Sequence, residues 1–189
     1  MRKLFTFLFA SLDGFHERAG QDMSWHLVDD EFDAFDLAQL AEADTFLLGR
    51  VTYEGFAEFW PTQEAADEEP IRAKLFNDAH KVVVSRTLRE SSWANTTIIG
   101  SDVDAEIREL KEQPGKDIEV IGSAKLTAYL LQAGLVDELR VLVNPVLVGS
   151  GAPAFPVTGI VSLELLDTRR FGNGNILLTY RPNPTSSTN

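Results

Sequence analysis

Short apolar runs, each closed by a glycine or a polar turn and followed by a stretch of helical period, recur through two thirds of this chain, and few folds accommodate that order. Residues 4–10 alternate Phe5, Phe7 and Phe9 and predict a first core strand. Residues 45–48 predict a short buried strand ended by Gly49, and residues 81–85 have the unbroken apolar character of a strand covered on both faces. Residues 96–99 and 118–121 predict two more. Between them, Asp29 or Asp30 caps a helix carrying Phe32, Phe35, Leu37 and Leu40, and a second helix begins near Thr52. Residues 63–69 are acidic and alanine-rich and read as a surface loop, after which Pro70 suits the first turn of a helix with Ile71, Leu75 and Phe76. Val103, Ile107 and Leu110 recur at helical spacing until Pro114-Gly115, and Leu126, Tyr129 and Leu130 mark a last helix ended by Gly134.

Beyond residue 138 the period changes. Leu139, Val141 and Val143 alternate, as do Leu163 and Leu165, and Asn173-Gly174 is a strong hairpin turn. The expectation is a three-layer α/β domain with a mixed, mostly parallel sheet and an antiparallel C-terminal hairpin. It spans residues 1–181 as one domain, with a polar tail over 182–189.

Composition removes several function classes. The chain of 189 residues has no cysteine, so disulfides, thiolate metal sites and thiol nucleophiles are excluded. His16, His26 and His80 lack ligand spacing, and no metal is expected. A formal net charge of −12 argues against nucleic acid, which needs a basic surface, but leaves room for one local anion pocket. No run approaches the ~20 apolar residues of a membrane span. Arg2 and Lys3 ahead of an apolar run resemble a secretory leader, but the run is short and Asp13 follows at once. The reading is a core strand of a cytoplasmic protein.

Three strand ends carry the chemical signal. In residues 48–54, Gly49 lets backbone approach a ligand, the following helix start offers N–H groups, and Arg50 adds a forked cation, with Thr52 beside it. In residues 84–87, Ser85, Arg86 and Thr87 supply the hydroxyls and guanidinium that a phosphate monoester needs, such as the 2′-phosphate of NADPH. In residues 120–126, Gly122, Ser123 and Ala124 are small enough for a pyrophosphate to rest on the next helix start, with Lys125 and Leu126 following. Each alone is equally an ordinary polar turn; in open α/β sheets, ligands gather at such ends.

The stretch Leu48-Gly49-Arg50-Val51-Thr52-Tyr53-Glu54 resembles the glycine-arginine-x-threonine segment of dihydrofolate reductases. Ser11-Leu12-Asp13-Gly14, residues 133–139, Pro145 and Gly149-Ser150-Gly151 are more similar to the reductase domain of riboflavin biosynthesis. The resemblance runs from Lys3 to Tyr180. It implies a dihydrofolate-reductase-like fold, a homodimer and NADPH as cofactor. It places Gly49, Arg50 and Thr52 at the cofactor phosphates, Ser85 and Arg86 at the 2′-phosphate, and residues 122–126 along the pyrophosphate. Ser11 and Asp13 would lie near nicotinamide and substrate. Two departures stand out: Ser123 and Ala124 replace the family's further glycines, and Phe15 stands where a basic residue is common. The deaminase half of that family needs cysteines this chain lacks.

Hydride transfer to a C=N bond calls for a proton source. Trp25-His26-Leu27-Val28-Asp29-Asp30 resembles the dihydrofolate reductase layout of a carboxylate shortly after a tryptophan, which points to Asp30, then Asp29; Asp13 is a rival. Capping a helix or closing a turn explains these aspartates equally well. Trp25 is a candidate wall for a flat substrate. The expected activity is NADPH-dependent reduction of a small nitrogen heterocycle. The rivals are a folate reductase and a protein that binds NADPH without catalysis.

Overall fold

The computed structural model describes residues 1–183. Its ten strands are β1 (Leu4–Ser11), β2 (Phe15–Glu17), β3 (Ala43–Gly49), β4 (His80–Val84), β5 (Thr96–Ile99), β6 (Asp117–Ile121), β7 (Glu138–Asn144), β8 (Ala152–Pro153), β9 (Ser162–Arg170) and β10 (Ile176–Asn183). Its helices are α1 (Asp30–Leu40), α2 (Arg50–Phe59), α3 (Gln63–Glu68), α4 (Pro70–Asp78), α5 (Val103–Glu112) and α6 (Ala124–Gln132). Eight strands form one sheet in the order β5-β4-β3-β6-β1-β7-β10-β9. The first six run parallel, and β10 and β9 close the sheet as an antiparallel hairpin. This is the expected mixed α/β sheet.

The alternation in β1 explains the layering. Leu4, Leu8 and Ala10 point to one face, where Leu4 and Ala10 pack with Ile107 and Leu110 of α5 and Leu126, Leu130 and Leu131 of α6. Phe5 and Phe7 point to the other, with Leu40 of α1, Tyr53 of α2 and Phe76 of α4 around Phe5, and Phe32 of α1 around Phe7. A strand buried on both faces is largely apolar, and five of the eight β1 residues are buried and apolar.

Local differences from the sequence reading have identifiable causes. Residues 63–68 are helix α3 rather than loop, because the Thr62 hydroxyl accepts from Ala65 N at 3.1 Å and Ala65 is wholly buried. Helix α2 begins at Arg50, two residues ahead of Thr52. Leu163 and Leu165 do alternate in a strand, but all nine residues of β9 are exposed, since no helix covers that edge. Pro182 and Asn183 belong to β10, so the strand takes the first two residues of the predicted tail; residues 184–189 lie outside the described residues.

One carboxyl breaks the apolar pattern. Glu119 of β6 is buried beneath α1, where its Oε1 accepts from Gln39 Nε2 at 3.1 Å and its Oε2 has no partner among the described residues. Arg140 of β7 reaches Gln39 Oε1 at 3.1 Å and ion-pairs with Glu42 and Glu138 instead. Burial pushes the Glu119 carboxyl well above the usual range, with Asp36 adding to it against Arg140.

Candidate functional site

The carboxyl ends of β1, β3, β4 and β6 bring the predicted motifs to one edge of the sheet. Ser123 knits two of them together: its hydroxyl accepts from Gly49 N at 2.9 Å and lies 2.9 Å from Thr52 Oγ1. A Cβ on Gly49 would sit 3.0 Å from that hydroxyl, so the β3 and β6 turns approach as closely as glycine permits. Gly122, at φ +61°, turns the chain into α6. Since Ser123 spends its side chain on the other turn, α6 starts without a side-chain cap. Helix α2 likewise begins at Gly49 uncapped, and α5 begins at Asp102 uncapped, whereas α1 and α3 are capped by Asp29 and Thr62. Three uncapped helix starts thus gather at one edge, with N–H groups available to an anion.

A cavity of ≈ 770 Å³ opens among them. Gly49, Ser85, Arg86, Lys125 and Leu126, all from the three sequence motifs, line it. Arg86 and Lys125 have no ion-pair or hydrogen-bond partner among the described residues. Ser85 accepts from the N–H groups of Thr87 (3.2 Å) and Leu88 (2.9 Å), which shapes the turn and leaves its O–H to donate. Thr87 is exposed at the turn, 3.4 Å from Ser85 through its hydroxyl. Arg50 points to solvent and pairs with Glu54 at 2.8 Å, outside the cavity lining. Ala124 opens α6 between Ser123 and Lys125. The sequence reading missed the far wall, made by Gly100, Ser101, Asp102, Val103 and Asp104 with Tyr129, whose O–H donates to Asp104. Gly100-Ser101-Asp102 after β5 is a small polar cluster like those at the other strand ends, and that was the available signal.

The second end of the edge lies at β1. The Ser11 hydroxyl donates to Asp13 at 2.6 Å and accepts from Phe15 N at 3.0 Å. Asp13 in turn accepts from Val148 N (3.1 Å) and Gly149 N (2.8 Å), so residues 11–14 and 149–151, distant in sequence, interlock. The Ser11 bond, with those from Gly149 and Val148, holds the Asp13 carboxyl below its ordinary value, as an acceptor rather than a proton donor near neutrality. Asp29 caps α1, accepting from Phe32 N at 2.9 Å. Asp30 is exposed at the helix start, with no side-chain partner among the described residues.

Trp25 and His26 fold over the end of β1. The His26 ring stacks on Phe9 at 4.1 Å and Trp25 meets it edge-on at 4.4 Å. The loop is pinned at Leu27, whose N–H donates to Asn144 Oδ1 at 2.9 Å and whose carbonyl accepts from Asn175 Nδ2 at 2.8 Å. His16, expected in a polar loop, is instead buried, with its two ring nitrogens 3.1 Å from Phe9 O and 3.2 Å from Gly122 O. It therefore joins the β1 end to the α6 turn.

Burial pushes the His26 imidazole down to about 4, with His16 adding to the shift. Above pH 6.5 both folded and unfolded His26 are neutral; between there and about 4 only the unfolded form takes the proton, so stability is lost as pH falls. The penalty at pH 5 is at most about 2 kcal/mol by linkage, reduced by the partial exposure of the loop. We expect the loop to open before the domain does. His26 ring signals in NMR should titrate near pH 4 with the Trp25 indole signal moving in step. A His26 titration at 6.5 would contradict the packing.

Among the described residues no cluster of three or more His, Asp or Glu is placed to hold a metal, and no helix is long and apolar enough to cross a membrane.

Comparison with known proteins bears on the family and the fold. The profile of the RibD C-terminal domain matches residues 2–177. The uncharacterised protein YyaP of Bacillus subtilis (strain 168) is 33% identical over 183 residues, covering 96% of both chains. A putative riboflavin biosynthesis protein from Shewanella sp. PV-4 superposes with a TM-score of 0.73 at 19% identity, over 96% of this chain and 99% of that one. Dihydrofolate reductase from Enterococcus faecalis, solved with NADP(H), superposes with a TM-score of 0.64 at 17% identity, over 96% of each. The fold is therefore dihydrofolate-reductase-like, as the sequence motifs implied.

Proposed function

The chain belongs to the family of RibD C-terminal domains, and from that premise we propose that it is an NADPH-dependent oxidoreductase reducing a small nitrogen heterocycle. The substrate class is pyrimidinone-like or pteridine-like, as in 5-amino-6-(5-phosphoribosylamino)uracil reduction. The observation that carries the reading is the convergence of three uncapped helix starts and two unpartnered cations on one cavity. Its volume suits the adenosine end of a dinucleotide.

When bound, NADPH supplies the hydride. The chain's own part is to hold and orient it. Arg86 and the Ser85 O–H meet the 2′-phosphate, Lys125 and the α6 start meet the pyrophosphate, and Gly49 with Thr52 keeps the α2 start open to the same anion. The Trp25–His26 loop excludes water from the end of β1. Asp30, exposed at the α1 start, is the carboxyl group left to relay a proton from solvent to the substrate, because the Asp29 and Asp13 carboxylates are engaged by backbone N–H groups. Phe15, half-buried on β2, offers no charge to a sugar phosphate, which favours an unphosphorylated heterocycle.

The assembly we assign is a homodimer through the β9–β10 face, where Leu163, Leu165, Leu166 and Ile176 are all exposed on neighbouring strands. The site is assigned to the cytoplasm on the strength of the same metabolic class.

Titration by nicotinamide fluorescence tests the cofactor. NADPH should bind ahead of NADH, and Arg86→Ala should weaken NADPH about 10- to 100-fold, the worth of one charge-assisted contact, while sparing NADH. Absence of binding by either nucleotide would overturn the reading. Tight NADPH binding without oxidation at 340 nm on any pyrimidinone or pteridine would favour a cofactor-binding protein instead.

A further inference from the structure

The lining of the cavity that holds Arg86 and Lys125 also includes two acidic residues, Asp102 and Asp104. Asp102 stands at the N-cap of α5 and lines the same space. Its backbone is left-handed, φ 50° and ψ 34°, a conformation in which only a few non-glycine residues of this chain are found. The contrast with Asp29 is direct. Asp29 caps α1 from extended backbone and gives its carboxylate to a helix N–H. Asp102 gives the helix only its carbonyl, which accepts from Ala105 N at 2.9 Å and Glu106 N at 3.1 Å. Its carboxylate makes no cap bond and no ion pair among the described residues. The neighbouring Asp104 is engaged, as acceptor for Tyr129. Asp102 thus brings a carboxyl group without a side-chain partner among the described residues to a cavity whose lining also offers cations and helix starts.

We infer that Asp102 is a specificity-determining residue that narrows the preference for NADPH over NADH; this rests on the assignment of the cavity to the adenosine end of the cofactor. Two effects act together. A 2′-phosphate carries close to two negative charges at neutral pH, and a carboxylate lining the same cavity opposes it. The unphosphorylated ribose presents hydroxyl donors, which a carboxylate accepts favourably. Arg86 favours the 2′-phosphate while Asp102 favours the hydroxyl, so the site holds both cofactors within a modest ratio.

The test is the dissociation constant of NADPH and of NADH, read by nicotinamide fluorescence, for the wild type, Asp102→Asn and Asp102→Ser. Asparagine tolerates the left-handed backbone and keeps the shape, and serine guards against a misfolded first variant, with circular dichroism checking both. Asp102→Asn should tighten NADPH about 5- to 10-fold and leave NADH equal or weaker, and the gain should shrink at high salt. A ratio unchanged within about twofold in both folded variants, with both nucleotides bound, would overturn the inference alone. Failure of the wild type to bind either nucleotide would overturn the cofactor assignment and the inference with it.

Discussion

Replacing Gly151 by alanine is expected to unseat β8 from β2 and to weaken cofactor binding at the α6 start. A Cβ at Gly151 would stand 1.9 Å from the carbonyl oxygen of Glu17, 2.9 Å from its carbon and 3.1 Å from the Cα of Arg18. All three are backbone, so no rotamer relieves the overlap and the segments must part. What parts is the pairing of Phe15 with Pro153 and of Glu17 with Ala152. That pairing is backed by the bond from Ala154 N to Gly14 O at 2.9 Å and by the Asp13 clamp on Val148 and Gly149. Between Phe15 and Glu17 sits His16, which joins Phe9 O to Gly122 O, so displacing β2 pulls on the turn that opens α6. A cost of about 2–4 kcal/mol, in the range of backbone-strain mutations, lowers the melting temperature by about 5–10 °C. Hydrogen exchange should show lost protection over residues 12–17 and 146–154, and NADPH affinity should fall with it. Gly55, where a Cβ meets nothing within 4 Å, supplies the control: Gly55→Ala in the exposed middle of α2 should stabilise slightly.

Glu119→Gln is expected to do the opposite, raising stability by an amount that grows with pH. Burial raises the folded carboxyl well above its ordinary value, so folding takes up a proton wherever the unfolded side chain is ionised. The folded state then binds more protons than the unfolded one, and stability falls as pH rises from the unfolded value, near 4.5, toward the folded one. The slope through that window is about 1.4 kcal/mol per pH unit for one proton. Glutamine has the same shape and no proton to take up. It keeps the acceptor for Gln39 Nε2 and removes the slope. Melting temperatures of the two proteins should therefore coincide near pH 4 and separate by several degrees at pH 7. Parallel curves would show that Glu119 is ionised in the folded protein and that Arg140 compensates it.

Much of the fold was legible because β1, β3, β4 and β6 are buried on both faces, so their short runs are rich in apolar residues and each is closed by a turn. The elements that escaped are those whose stability is tertiary. β2 and β8 have three and two residues, too few for a period, and exist because residues 11–14 and 149–151 interlock. Helix α3 hid behind an acidic composition, although Thr62 before an alanine-rich stretch was a readable cap. At the site, the glycine and phosphate-type turns were legible from residue type. Their mutual bonding through Ser123 was not, because Gly49 and Ser123 are 74 residues apart. Asp102 was invisible for a related reason: an aspartate before a helix reads as a cap, and only its backbone conformation shows that it is not one.

If these strand ends form one cofactor site, hydrogen exchange with and without saturating NADPH will register all of them together. The prediction is protection on binding at residues 49–52, 85–88, 100–105 and 122–127, with smaller changes over the Trp25–His26 loop. Protection confined to other surfaces, or no protection at a concentration where NADPH is bound, would contradict the claim and return the three motifs to ordinary turns.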